Sequence, residues 1–416
     1  MSAQLEHDAA CDGPVLILTI SNGAGHIRLA EGIASAIRAE QPTTPVIIAN
    51  VADYMTPLAR FTHVTAYLWL VKHAPATWDR IDRYQKRQPH TSPEWFYRRG
   101  CRSLFELARD LRPRALVATE VGCCEIAALI KRDLALNVPL VAVNNEFDAD
   151  RAWSQKEVDL YCFVTEQCGE EIIEQGAPRE RVRVWGAPLT DGFDVPLDHE
   201  QERASACSWL ALDPQNPIIL IAGGSEGIGR IEETTARLLR LETRTPQLIV
   251  LAGRNERLKS RCERLARGGN EKRLRVLGWT GSEEMPKLMY AADLMVSKLG
   301  SMFNEALAAS LPIVALEPPP GSERVQYRLL EEWRVGRPVC TLDEMIEAVE
   351  DLLAHPQKLS LMREQARARR KLDAAQRIAR WLTEAIAERQ QFGETFQSDA
   401  ELSSQQMKDS RQESYV

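Results

Sequence analysis

Three glycine-centred turns carry the side chains of this 416-residue chain best suited to chemistry. In the first, NGAGH (22–26), Gly23 and Gly25 join an apolar run to a helical pattern and deliver His26 where the helix begins. Backbone N–H groups at such a turn sit at the positive end of the helix and suit an anionic or polar ligand. An imidazole there can take a proton near neutral pH, although a histidine at a turn also serves simply to hydrogen-bond the loop. The turn lacks the third glycine and distal acid of a dinucleotide fingerprint. The second turn, GGSEGIG (223–229), places Gly223, Gly224 and Ser225 in the equivalent position of the second half. In the third, SKLGSMFNEAL (297–307), the amides of Gly300 and Ser301 with the charge of Lys298 suit a phosphate. Glu305, one turn into the following helix, suits ribose hydroxyls. The plain alternatives are glycines used for helix–strand packing and a first-turn carboxylate favoured by the helix dipole. Ser322 and Glu323 follow a proline-stiffened loop at another helix start, where Ser322 also suits a cap.

These groups need a scaffold that brings them to one edge, and the surrounding pattern supplies it. PVLILTI (14–20) and PIILIAG (217–223) are continuous apolar runs, as expected of strands buried on both faces of a parallel sheet. Ile33, Ala34 and Ile37 then recur at helical spacing after the first turn. Further apolar runs follow at Val46–Ala49, Leu116–Ala118 and Leu140–Val143, then at Leu248–Ala252, Leu294–Val296 and Ile313–Leu316. Strand alternating with helix implies an α/β chain of two Rossmann-like domains, 14–188 and 215–389, with right-handed crossovers. A chain of 416 residues is also too long for one ordinary core. The stretch 189–214, rich in Pro, Gly and charge, reads as a linker. Leu342–Leu353 reads as an amphipathic helix, Gln357–Arg389 as one long or broken helix, and the polar residues 390–416 as a disordered tail.

Composition narrows the function. With 44% apolar and 27% charged residues and a net charge of −7, the chain is a folded protein with no bulk attraction to nucleic acid. No apolar run approaches the roughly 18 residues of a membrane span, and the start, MSAQLEHDAACDG, lacks the basic and apolar regions of a signal peptide. Nine cysteines without a C-x-x-C pair imply reduced thiols rather than a disulfide framework or zinc site. These readings imply a cytoplasmic protein.

In their order along residues 14–385, Gly-x-Gly-His, GGS, Lys-small-Gly…Glu-Ala-Leu and Pro-x-Pro-Gly-x-Glu resemble the monogalactosyldiacylglycerol synthase and processive diacylglycerol glucosyltransferase group. That group is related to the family 28 peptidoglycan N-acetylglucosaminyltransferase. The run VPLVAVNNEFDADRAW…VRVWGAPL (138–189) is similar to the end of the group's first domain. The resemblance implies a GT-B fold and inverting transfer of a hexose from a UDP-sugar to a lipid such as diacylglycerol. It places the nucleotide in the second domain and the acceptor in the first. It also implies roles: His26 as catalytic or acceptor-orienting residue, Glu305 at the ribose, Gly223, Gly224 and Ser225 near the diphosphate, and Gly278 near the uracil. The chain departs from the group where Thr-Asp is usual and Asn145-Glu146 stands, so that Glu146 offers the basic carboxylate. It departs again at Glu120, where a histidine is usual, and at Gln326, where an asparagine is common. The spacing from Lys298 to Glu305 is one residue shorter than usual. No cofactor or metal is implied. Asp148-Ala-Asp150 matches the manganese pair of the other large glycosyltransferase fold, which has one Rossmann-like domain rather than the two read here.

Residues 61–114 complete the picture. Eight aromatics lie between Phe61 and Tyr97, and ten Arg or Lys face four acids between Arg80 and Arg114. Aromatics among cations suit a surface resting on anionic lipid, and Arg83, Lys86, Arg87, Arg98 and Arg99 are the cations expected to face it. The plain alternative is that the aromatics are core and the arginines a solvated face. The expected enzyme is therefore peripheral at the inner face of the cell membrane. The rivals are a nucleotide-sugar epimerase, which uses the same double-Rossmann scheme, and a degenerate member that only binds a nucleotide-sugar.

Overall fold

The computed structural model describes residues 13–21, 24–194, 198–242, 244–316 and 323–391. The first apolar runs form six parallel strands: β1 (Val15–Thr19), β2 (Val46–Asn50), β3 (Ala115–Ala118), β4 (Leu140–Val143), β5 (Leu160–Cys162) and β6 (Val182–Arg183). They stand in the order β2-β1-β3-β4-β5-β6. A second parallel sheet holds β7 (Ile218–Ala222), β8 (Gln247–Leu251), β9 (Leu274–Leu277), β10 (Leu294–Ser297), β11 (Ile313–Leu316) and β12 (Gly336–Val339), in the order β12-β11-β10-β7-β8-β9. Helices cover both faces of each sheet. Leu16 and Leu18 therefore enter one core with Leu104, Ile126 and Phe163, while Val15 and Ile17 enter another with Ile33 and Ile37. Burial on both sides is why these strands read as unbroken apolar runs.

The strands expected at 46–49, 116–118, 140–143, 248–252, 294–296 and 313–316 are all present, within one residue at either end. Three strands carry too little pattern to be read: β5 and β6 span three and two residues, and β12 contains Pro338, tolerated because β12 is an edge. Residues 199–210 of the stretch read as a linker form a helix capped by Asp198, and Cys207 and Leu210 are buried in the second core. The stretch 357–389 is broken, into helix Pro356–Arg369 and helix 374–391. Its last part does not stay with the second sheet. Ala375, Ile378, Leu382 and Ile386 pack in the same core as Val15 and Ile17 of β1. The tail from 392 onward lies outside the described residues.

Between β2 and β3 the chain runs through a set of helices: Pro57–Arg60, a π turn Phe61–Thr65, Ala66–His73, Pro75–Gln85, Glu94–Gly100 and Arg102–Leu111. Pro57 and Pro75 open two of them at the position where a missing N–H costs nothing. Among the described residues no helix is long and apolar enough to cross a membrane.

Glu125 lies beneath this helical insertion, 3% exposed. It accepts from the Thr91 amide at 3.1 Å and from the Tyr97 hydroxyl at 3.2 Å. Burial pushes its carboxyl up to about 8, only partly opposed by those hydrogen bonds. A carboxyl raised in the folded state gives stability that is complete below its unfolded value and lost as pH rises through the folded one. Stability should therefore fall between about pH 4.5 and pH 8 by a few kcal/mol on this account. Urea melts of Glu125→Gln against the parent at pH 5 and pH 8 check it: the variant is expected to lose less stability over that range. Equal losses would remove Glu125 as the source.

Candidate active site

In an open α/β sheet, ligands bind at the carboxyl edge where the strand order reverses. In the first sheet that point lies between β1 and β3, in the second between β7 and β10. The turns singled out in the sequence leave the sheets at these points: His26 after β1, Glu120 after β3, Gly223–Ser225 after β7 and Lys298–Ser301 after β10. The two edges face one another. A Cβ on Gly25 would sit 2.5 Å from Ser301 Cβ, so only glycine lets the first turn approach the third this closely. Gly224, by contrast, has open space around it but φ +71°, which favours glycine for conformational reasons.

His26 Nδ1 lies 2.8 Å from the Thr119 carbonyl across the first switch point. A carbonyl only accepts, so Nδ1 carries the proton and Nε2 keeps the lone pair of the neutral ring. Glu146 belongs to the loop after β4, which Asn144 shapes by accepting from the Glu146 amide at 2.8 Å and donating to the Asp148 carbonyl at 2.7 Å. The same loop locks onto the second domain. Asn304 Nδ2 donates to the Asn145 carbonyl at 2.9 Å, and Phe147 packs against Phe303 at 5.0 Å between ring centroids.

A single cavity of about 620 Å³ is bordered by His26, Gly25, Glu120, Glu146, Gly223, Gly224, Ser225, Gly278, Lys298, Gly300, Ser301 and Glu305. Of the other expected site residues, Gly23 and Ser322 lie outside the described residues, as does the side chain of Glu323. Under the 57–85 helices the cavity is bordered by Val51, Met55, Tyr67, Leu70, Trp78 and Ile81, with Thr62, His63, Asp82 and Gln85 among them. One neighbour escaped the sequence reading. Arg28 donates to Glu305 Oε1 and to the Thr280 carbonyl, both at 2.9 Å, and lies over the Trp279 ring. Its position three residues after Gly25, on the same helix face, was the available signal. The buried amide oxygens of Asn145 and Gln326, at two positions where the chain departs from the group, also border the cavity and have no hydrogen-bond partner among the described residues.

Two of the cations expected to face lipid are engaged elsewhere. Lys86 closes the helix Pro75–Gln85 and turns inward to pair with Asp148 and, at 3.6 Å, with Asp82. Burial lowers the Lys86 ammonium, but Asp148, Asp150, Asp82 and Glu146 outweigh it and its pKa rises. Asp148 itself is pushed up to about 6, by burial against the pull of Lys86. Asp148 is thus matched by an ammonium. Arg98 pairs with Asp133 at 2.6 Å and Glu94 at 3.0 Å. Arg83 pairs with Asp79 at 2.9 Å but stays exposed, as do Arg87 and Arg99. The aromatics divide. Tyr97 is buried, whereas Phe61, Trp69 and Trp95 are 59%, 57% and 61% exposed, together with Leu58 at 69%.

A family model described as monogalactosyldiacylglycerol (MGDG) synthase matches residues 26–189. The processive diacylglycerol beta-glucosyltransferase of Staphylococcus saprophyticus is 24% identical over 361 residues, covering 86% of this chain and 88% of that one. Among solved structures, Anabaena HepE in complex with UDP and glucose is similar at TM-score 0.53 and 16% identity, over 89% of this chain and 99% of that one. The UDP-GlcNAc 2-epimerase of Neisseria meningitidis bound to UDP-GlcNAc is similar at TM-score 0.58 and 15% identity, over 89% and 100%. The fold alone therefore accommodates transferases and epimerases alike, while these sequence relatives are transferases. The chain has the GT-B fold and is similar in sequence to the monogalactosyldiacylglycerol synthase and processive diacylglycerol glucosyltransferase group.

Proposed function

We propose that this chain transfers a hexose from a UDP-sugar to the hydroxyl of a lipid such as diacylglycerol, with inversion and without a metal. One observation supports the reading: a single cavity joins a polar end, built from the three glycine turns, to an arm under the 57–85 helices bordered mainly by apolar side chains. A nucleotide-sugar fits the first, and the second suits the root of an acyl chain. An epimerase, which handles a nucleotide-sugar alone, has no use for such an arm.

The chemistry is a single displacement. The acceptor oxygen attacks the anomeric carbon, its proton passes to His26 Nε2 or the Glu146 carboxylate, and UDP leaves from the opposite face. Amides at Gly300 and Ser301 with the Lys298 ammonium stabilise the charge that gathers on the departing diphosphate. Glu305 holds the ribose, and Glu120 borders the acceptor side. The exposed apolar side chains at 58–95 rest on the inner face of the cell membrane, so that the acceptor enters the arm with its chains still in lipid.

The test is incubation of the protein with a panel of UDP-hexoses, UDP-glucose first, and mixed micelles of dioleoylglycerol, with and without EDTA. UDP release with a glycosylated diacylglycerol of inverted anomeric configuration, unaffected by the chelator, is expected. UDP release without a lipid product would shift the acceptor to a soluble molecule. Interconversion of the UDP-sugars would favour the epimerase, and nucleotide binding without turnover the degenerate member.

A further inference from the structure

The geometry points to Arg28, on the first domain and paired with Glu305 across the cleft, as a ligand for the donor's diphosphate. This inference rests on the reading of the second-domain turns as the UDP site, with Glu305 at the ribose.

The helix Ala24–Glu40 delivers Arg28 three residues after Gly25, on the same face. Gly25 is the residue whose added Cβ would meet Ser301, so Arg28 starts within one helical turn of the Lys298–Ser301 turn. Side chains of a helix lean towards its N-terminus, which aims this guanidinium over Gly25 and at that turn. In the described structure it lies instead on the nucleotide side of the cleft, with Nη1 on Glu305, Nη2 on the Thr280 carbonyl and its carbon 5.6 Å from the Trp279 ring centroid. Arg28 and Glu305 are only 12% and 8% exposed in their side chains, so this is an enclosed ion pair rather than a surface contact.

Two consequences follow when UDP enters. Ribose hydroxyls donating to Glu305 compete with Arg28 for the same carboxylate oxygens. Arg28 then needs another acceptor, because an enclosed guanidinium without one is costly. The diphosphate provides it, in the fork geometry that arginine matches. The cavity has need of the charge: among the described residues that border it, Arg28 and Lys298 are the arginine and lysine, set against Asp82, Glu120, Glu146, Asp150, Glu226 and Glu305. Because Arg28 comes from the acceptor-side domain, this contact also ties donor binding to the approach of the two domains.

Calorimetry with uridine, UMP and UDP on the full chain tests the assignment, for the parent, Arg28→Gln, Arg28→Lys and Glu305→Ala. A diphosphate ligand predicts that Arg28→Gln weakens UDP by about tenfold or more, the scale of a lost charge-assisted bond. Uridine, which has no phosphate, is expected to bind as well or tighter, since Glu305 no longer has to be freed. Arg28→Lys should restore part of the UDP affinity. Equal changes for UDP and uridine in a variant with parental melting temperature would overturn the assignment and leave Arg28 a simple partner of Glu305. Uridine affinity unmoved by Glu305→Ala would instead remove the underlying ribose reading, and this inference with it. If Arg28→Gln melts early, the Arg28→Lys ratio of UDP to uridine affinity decides: a ratio below the parental one supports the assignment, because an ammonium lacks the guanidinium's fork, and a parental or higher ratio opposes it.

Discussion

His26→Ala is expected to lower hexose transfer by about 10²–10⁴-fold, the usual contribution of a general base, while UDP affinity stays close to that of the parent. The reason is spatial. His26 stands after β1 at the switch point of the first sheet, and its Nδ1 is committed to the Thr119 carbonyl. That hydrogen bond orients the ring and leaves Nε2 as the basic nitrogen. The nucleotide turns come from β7 and β10 of the other sheet, so loss of the imidazole touches the acceptor side of the cavity. Glu146→Gln is the parallel variant: it keeps the shape of the loop that Asn144 supports and removes the negative charge. The larger loss of turnover identifies the proton acceptor, and the smaller one the group that orients the attacking hydroxyl. Steady-state rates with calorimetric UDP affinity separate turnover from binding. A variant with full turnover would show that its residue only shapes the loop.

Removing Phe61, Trp69 and Trp95 together, each to Ser, should weaken association with liposomes by more than about 10²-fold. Each ring is more than half exposed. Inserting it into lipid takes on the order of 100 Å² from water, or about 2.5 kcal/mol. Leu58, Phe61, Leu68 and Trp69 are all exposed along the 57–73 helical stretch, and the helix bearing Trp95 packs beside it, where an added Cβ on Gly100 would touch Ala59. Exposed Arg60, Arg87 and Arg99 would add roughly 1 kcal/mol each on an anionic surface, so binding should also fall with salt. Lys86→Ser is the contrasting case. Lys86 is half-enclosed against Asp148 and Asp82, so its loss should cost about 3–5 kcal/mol of stability rather than liposome affinity. Co-sedimentation paired with melting temperatures separates the two effects. A stably folded triple aromatic variant that sediments like the parent would sink the docking face.

Much of this protein is set by short-range physics and is legible in the order of its residues. Unbroken apolar runs such as 14–20 and 217–223 suit strands covered on both faces, and the glycines after them permit the turns that begin the next helix. Those rules act within a few residues, which is why the strands appear within one residue of their expected ends and why His26, Lys298, Ser301 and Glu305, which spacing singles out, come to border one cavity. What the sequence left open are matters of long-range packing. Composition alone does not tell whether Trp69 or Tyr97 is core: one is more than half exposed and the other buried because of which helix covers which. Lys86 looked like a lipid-facing cation until the β4 loop brought Asp148 to it, 62 residues away in sequence. Arg28 and Glu305 are separated by 277 residues, and the terminal helix at 374–391 returns to the first sheet although it follows the second. The Arg28–Glu305 pair is decided by how two finished sheets meet at their carboxyl edges. Buried apolar contact such as Phe147 against Phe303 holds that meeting, and the charges then take whichever partners it brings within reach.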